Sequence, residues 1–267
     1  MLLNEPGRTS YDINFNLVGF PVRVHPAFFI MPLILGGGFL RNSPINAGLM
    51  LIVLVAVFFV SILVHELGHA LAFRYFGQGS RIVLYWMGGL AIPDGYGGGW
   101  TNRSDGSRAI PQIIISVAGP VFGFLLAALL IGIVIAMGGS VEFEMDGIMP
   151  TVLSFLPREY ADTSMGFALV IFFQLGIWVN IFLNILNLVP VFPLDGGQIA
   201  RQVFLMNDPG NGMRYSIILS IAAGAIIALM GFQNGDQFIG FFFAIMAWSN
   251  YMSLQQIGGG YGGGRPW

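Results

Sequence analysis

Two imidazoles and a carboxylate interrupt an otherwise oily stretch, VFFVSILVHELGHALAF at 57–73: His65, Glu66 and His69. On a helix, residues four apart stand one turn apart on the same face. His65 and His69 can then offer two ring nitrogens to a single metal ion. Glu66, the next residue round, stands beside that ion rather than on it. The H-E-x-x-H spacing suits hydrolysis: zinc lowers the pKa of a bound water to about 7, and the Glu serves as general base. A solvated helix can carry the same residues by chance. Here the surroundings are apolar, and a charged group at the centre of a membrane helix costs about 2.5–3.5 kcal/mol even on a lenient scale. A metal offsets that cost, so the functional reading is favoured. Gly68 lets another backbone come close.

A catalytic zinc takes three protein ligands and keeps one position open. The chain has no cysteine, which excludes thiolate sites, disulfides and a cysteine nucleophile. The third histidine, His25, precedes a proline in VRVHPAFF at an interface. Asp195, in NLVPVFPLDGGQ, is the better candidate, because a carboxylate is a hard ligand and the glycines at 196 and 197 allow a tight turn. Asp195 could instead cap a helix starting near Gln198. An apolar stretch with two prolines and one acid favours the ligand.

The elements that must position these residues read as membrane spans. Of 267 residues, 55% are hydrophobic and 9% charged, and the mean hydropathy is +0.76. A soluble domain carries about a quarter charged residues. The composition, with 24 Phe and 38 Gly, points to a polytopic membrane protein. A net charge of −2, with no basic cluster, argues against nucleic acid as a partner. Six spans are expected: about 26–40 (weak and short), 46–75, 110–137, 165–191, 215–231 and 238–255. YDINFNLVGFPVRV alternates about a Gly-Phe-Pro turn and predicts a hairpin, and SRIVLYWMGGLAIP, broken at Gly88 and Gly89, predicts further strand. DGYGGGW and the tail IGGGYGGGRPW predict flexible segments. Residues 1–255 form one integral-membrane domain in this reading, and 256–267 a Gly-rich tail.

Arginines set the expected orientation. Arg8, Arg23, Arg74, Arg81, Arg103, Arg108, Arg201, Arg214 and Arg265 fall on one side; only Arg41 and Arg158 fall on the other, beside six acids between 142 and 236. The positive-inside rule then makes this a multi-pass protein of the cell membrane with both termini cytoplasmic. No signal-peptide core precedes Tyr11, so the N-terminus is expected to be retained.

HELGH at 65–69, with Asn187, Pro190, Asp195 and Gly196 in N-x-x-P-x-x-x-x-D-G spacing, resembles the site-2 protease family of intramembrane zinc metalloproteases. The likeness is greatest to the branch without a PDZ domain, similar to sporulation-factor processing proteases, and covers roughly residues 20–200. It implies an all-α polytopic fold: a three-helix catalytic core, flanking helices and a small membrane-associated β-sheet. It implies one Zn²⁺ per chain held by His65, His69 and Asp195, with Glu66 as catalytic base. Asn187 would bond substrate backbone or the developing oxyanion, and the strand at Gly88 and Gly89 would pair with an unwound transmembrane substrate. Transmembrane proteins in the bilayer would thus be the partners, cut near the cytoplasmic face. Family members often show G-P-x-x-N in the third span; here AGPVFGF places Gly123 at the Asn position. Its role then falls elsewhere, with Asn180 and Asn184 as candidates, while Gly119 and Gly123 form a small-xxx-small pair suited to helix packing.

Two other classes compete. A metal transporter using the same three ligands would need ligands on both sides of the midplane and repeated halves, and neither is seen. A catalytically silent scaffold for membrane clients would lack Glu66 or a ligand, and all four residues are present.

Overall fold

The computed structural model describes residues 5–34, 46–86, 88–94, 109–146, 149–157, 160 and 162–258. The helices are α1 (Ala47–Tyr75), α2 (Ala109–Ala136), α3 (Ser164–Asn187), α4 (Asp195–Asn207), α5 (Gly212–Gln233) and α6 (Gln237–Gly258). The strands are β1 (Ile13–Leu17), β2 (Phe20–Val24), β3 (Ser80–Tyr85), β4 (Gly88–Pro93), β5 (Ser140–Asp146) and β6 (Met149–Phe155). Four of the described helices, α1, α2, α3 and α5, are long and apolar enough to cross a membrane. The segment expected as a sixth span is helical as α6, but α6 is not among those four helices. Of the expected first span, Pro26–Phe29 form a 3-10 turn that runs into helix as far as Ile34, and 35–40 lie outside the described residues. The Gly-rich segment at 95–100 and the tail from 259 onward also lie outside them, as do Arg41, Arg103, Arg108, Arg158 and Arg265.

The chain divides into two compact units. One comprises Asn4–Gly99 and Ala118–Asn184; the other comprises Met1–Leu3, Trp100–Val117 and Ile185–Trp267.

In the first unit, α1 is apolar on every side, as a helix surrounded by protein and lipid must be. The Asn46 side chain caps its start by accepting the Gly48 N–H at 2.7 Å. At its end, Gly77 (φ +75°) and Gln78 donate to the Arg74 and Phe73 carbonyls, both at 2.9 Å. That is a Schellman closure, and it turns the chain directly into β3. The sheet order is β1-β2-β3-β4, with β2 and β3 parallel and the outer pairs antiparallel. The first hairpin turns at Val18–Gly19, both at positive φ, rather than at the Gly-Phe-Pro triplet. A two-residue turn of that hand matches the strand twist. Arg74 pins it, donating to the Val18 carbonyl at 2.8 Å and covering the Phe20 ring at 3.7 Å. Phe20, Val22, Ile82 and Leu84 bury one sheet face with Leu54, Val57, Phe58 and Ile62 of α1 and Leu175 and Val179 of α3.

The segment between α2 and α3 is a β5–β6 hairpin, to which the sequence reading assigns no element. Gln174 of α3 ties it down by accepting from Ser154 Oγ at 2.9 Å and donating to the Val152 carbonyl.

In the second unit, α4 starts at Asp195 itself, with Leu194 as a cap residue that makes no side-chain cap bond. Asp195 is therefore inside the first turn rather than capping a helix near Gln198. Any Cβ at Gly196 would strike the Leu188 and Val189 carbonyls, and one at Gly197 the Val191–Phe192 backbone, so both glycines are required by close approach. Helix α5 supplies Ser220, whose Oγ accepts the Phe192 N–H at 3.0 Å. Helix α6 supplies Asn250, whose Nδ2 donates to the Phe192 carbonyl at 2.6 Å. The loop before Asp195 is thus held at its backbone from two helices.

Candidate metal centre and catalytic site

Helix α1 places His65 and His69 on one face, both buried in an apolar helix. Their Nε2 atoms are 3.1 Å apart. Two ligands on zinc bonds of about 2.0–2.1 Å at tetrahedral angles stand at nearly that separation, so the pair fits one ion. The floor beneath them is Gly119 of α2, where a Cβ would lie 2.8 Å from His65 Nε2 and closer still to His69 Nε2. Gly68 meets α2 likewise, with the Ala118 carbonyl where its Cβ would be. The glycines at 119 and 68 therefore let helix and imidazoles meet.

The His65 ring is fixed from behind. Asn184 of α3 donates its Nδ2 to the Asn180 carbonyl, which leaves Oδ1 facing His65 Nδ1 at 2.8 Å. An amide oxygen accepts only, so Nδ1 carries the proton and Nε2 is bare in the neutral ring. Asn180 in turn donates to Ser61 Oγ and to the Gly176 carbonyl, each at 2.8 Å. Ser61 and His65 on α1 thus face Gly176, Asn180 and Asn184 on α3 as a polar ladder at matching four-residue steps.

Glu66 is buried and lies under β4. A Cβ at Gly89 would fall 2.6 Å from Glu66 Oε1 and 2.7 Å from its Cδ, so only glycine lets that strand cross the carboxylate. Gly88 has φ +122° and open space where a Cβ would be, so it needs glycine for its backbone. His25 is used locally: its Nδ1 accepts the Ala27 N–H at 3.1 Å as the cap of the 3-10 turn.

The first unit thus brings together His65, Glu66, His69 and Gly89. Asp195 and Asn187 belong to the second unit, the one half-buried at the start of α4 and the other half-buried at the end of α3. Within the first unit, His65 and His69 could each offer one ligand atom to a metal ion. The sequence reading misses Ser61, Ser220 and Asn250. Their signal was polar residues isolated in apolar helices, Ser61 one turn before His65.

The sequence profile of peptidase family M50 matches residues 53–231, more than half of the chain and both motifs. The chain belongs to peptidase family M50. A zinc metalloprotease of Methanocaldococcus jannaschii is 27% identical over 200 residues, covering 73% of this chain and 46% of that protein. The chain therefore spans about half the length of that curated relative. The solved structure of a site-2 protease from M. jannaschii aligns with a TM-score of 0.53 at 21% identity, covering 91% of this chain and 95% of that one. The fold is thus that of a site-2 protease: helical, with several apolar helices of membrane-spanning length and a small sheet. Membership in M50 makes the chain a membrane protein of a zinc metallopeptidase family.

Proposed function

We propose that this chain is an intramembrane zinc endopeptidase that cuts transmembrane segments of other proteins near the cytoplasmic face. The observation that carries the reading is the pair of buried imidazoles with Nε2 atoms 3.1 Å apart, beside a buried Glu66 covered by a glycine strand. Family membership and the curated relative's name support it.

In this reading His65, His69 and Asp195 hold one zinc per chain, a nitrogen- and oxygen-donor set that zinc accepts. When bound, the ion polarises the scissile carbonyl and makes water more acidic. Glu66 takes one proton from the attacking water as the C–O bond forms. It returns that proton to the amine nitrogen as the C–N bond breaks. Asn187 bonds the substrate backbone or the oxyanion. A substrate helix satisfies its own amides internally and must unwind before a carbonyl is free. The strand at Gly88 and Gly89 pairs with the unwound segment. The chain sits in the cell membrane with both termini cytoplasmic.

The test measures zinc content of purified protein beside single-turnover cleavage of a transmembrane substrate. Glu66→Gln keeps shape and loses the proton acceptor, so zinc stays while cleavage falls on the order of 100-fold or more. Asp195→Ala and His65→Ala lose zinc and cleavage together. Glu66→Gln that cuts normally, or Asp195→Ala with full zinc, overturns the assignment. Full zinc with no cleavage by the parent chain would point instead to a scaffold or a transport site.

A further inference from the structure

We infer that Asn184 is a positioning residue for the metal centre: its carboxamide holds His65 in the one tautomer whose Nε2 presents a lone pair to a metal. The inference rests on the metal-centre reading above and adds a residue to it.

Three observations converge on Asn184. Its side chain is buried in α3 among apolar residues, where an unbonded amide would be costly. Its Nδ2 is committed to the Asn180 carbonyl, so the amide cannot turn round. Its Oδ1, 2.8 Å from His65 Nδ1, can only accept. The proton on His65 is thereby placed on the nitrogen remote from His69, and the lone pair is left on Nε2, 3.1 Å from His69 Nε2. An imidazole free to rotate or to exchange tautomers would present an N–H there for part of the time.

Helix α2 is cut to fit this arrangement. A Cβ at Gly123 would overlap Nδ2, Cγ and Oδ1 of Asn184, so the space beside α2 is filled by the carboxamide from α3. One turn earlier, Gly119 gives the same clearance to the imidazoles. The two glycines therefore seat side chains: Gly119 the ligands, and Gly123 the residue that orients one of them. Of the two asparagines open to the role that position 123 lacks, Asn184 touches the ring, while Asn180 serves Ser61 and the α3 backbone. The signal was in the sequence only as an asparagine in an apolar helix; its partner lies 119 residues away.

The test is zinc affinity of the full chain in detergent, by competition with a chromogenic chelator, together with the thermal midpoint of the metal-free protein. Asn184→Ala is expected to bind zinc about 10- to 100-fold more weakly, the usual effect of losing an outer partner of a metal histidine. Asn184→Asp keeps an oxygen acceptor for the Nδ1 proton and is expected to bind within about threefold of the parent. Both variants lose the amide donated to Asn180, so both lower the midpoint of the metal-free protein. A purely structural role would therefore weaken zinc in both alike. Parental affinity in Asn184→Ala, or equal weakness in Asn184→Asp and Asn184→Ala, overturns the inference. If the alanine variant does not fold, Asn184→Leu fills the volume, accepts nothing and makes the same comparison. His69→Ala is the control for the reading beneath: parental zinc affinity there overturns the metal centre itself, whereas lost zinc in His69→Ala beside parental zinc in Asn184→Ala overturns only the role of Asn184.

Discussion

Glu66 is held in position by a neighbour without a side chain. Its Cγ, Cδ and Oε1 lie where a Cβ of residue 89 would be, and the Cγ cannot swing aside as a carboxylate tip can. Gly89→Ala therefore shifts either the base or the strand. A misplacement of about 1 Å can cost on the order of 100-fold in rate. The expected outcome is a drop of that order in single-turnover cleavage with zinc content unchanged, since the imidazoles stand on Gly119 of another helix. Gly88→Ala has a different cause of harm, because residue 88 meets open space but sits at φ +122°. Its penalty falls on the turn, and a modest loss of thermal stability with partial activity is expected. Equal activity in the parent and Gly89→Ala would remove β4 from the account of the base.

At the scale of elements, β4 lies at one end of the β1-β2-β3-β4 order, so it is an edge of the described sheet, whereas Leu84 and Tyr85 belong to the inner strand β3. A proline scan for a substrate-pairing edge therefore belongs at Leu90, Ala91 and Ile92. Alternate positions on β4 turn their N–H outward, so loss of cleavage should alternate, with zinc retained. Uniform loss or uniform tolerance counts against strand addition. The inner strands β2 and β3 are tied to the segment before β1 by charge: Arg23 pairs with Asp12 at 3.0 Å and Glu5 at 2.9 Å, and Arg81 pairs with Glu5 at 2.8 Å. Burial opposes ionisation of Glu5, but the Arg81 and Arg23 guanidiniums outweigh it and hold its carboxyl below the usual range. The Thr9 hydroxyl and Arg23 hold Asp12 down at about 2. Depressed carboxylates stabilise the fold above their unfolded pKa and lose that contribution as pH falls through the folded one. Asp12→Asn is expected to lower the thermal midpoint at pH 7 and to lower it much less at pH 2, measured by calorimetry. The helices were legible because apolar runs of span length say little else, and the hairpin at 13–24 because it alternates. The β5–β6 hairpin carries the same kind of signal, with SVEFEMD alternating apolar and acidic residues into a D-G dipeptide, and the sequence reading passes over it; its anchor, Gln174, sits in another element and was not legible. Helix α4 was legible only as far as its glycines, whose need comes from backbone at 188–192.

For the whole molecule, orientation decides which half of the bilayer holds the chemistry. His69 and His65 precede the end of α1 at Tyr75 by six and ten residues, or about 9–15 Å along the axis. A hydrocarbon core is about 30 Å thick, so in the proposed arrangement the histidines would fall in the half of the membrane nearest the sheet. That end of α1 carries Arg74, and the sheet that follows carries Arg81, while the β5–β6 hairpin reached after α2 carries Glu142 and Glu144. Arginine-rich ends stay in the cytoplasm. The chain has no cysteine, so single cysteines can report the sides without a background. Tyr75 is 83% exposed and Phe143 is 59% exposed, which makes each a site where a thiol can be reached. In intact cells, a membrane-impermeant maleimide should label Phe143→Cys and spare Tyr75→Cys, and after lysis it should label both. Labelling of Tyr75→Cys alone would place the histidines in the outer half of the membrane. Labelling of both before lysis would mean that α2 does not cross the bilayer. Either result would require a substrate cut on a different side from the one proposed.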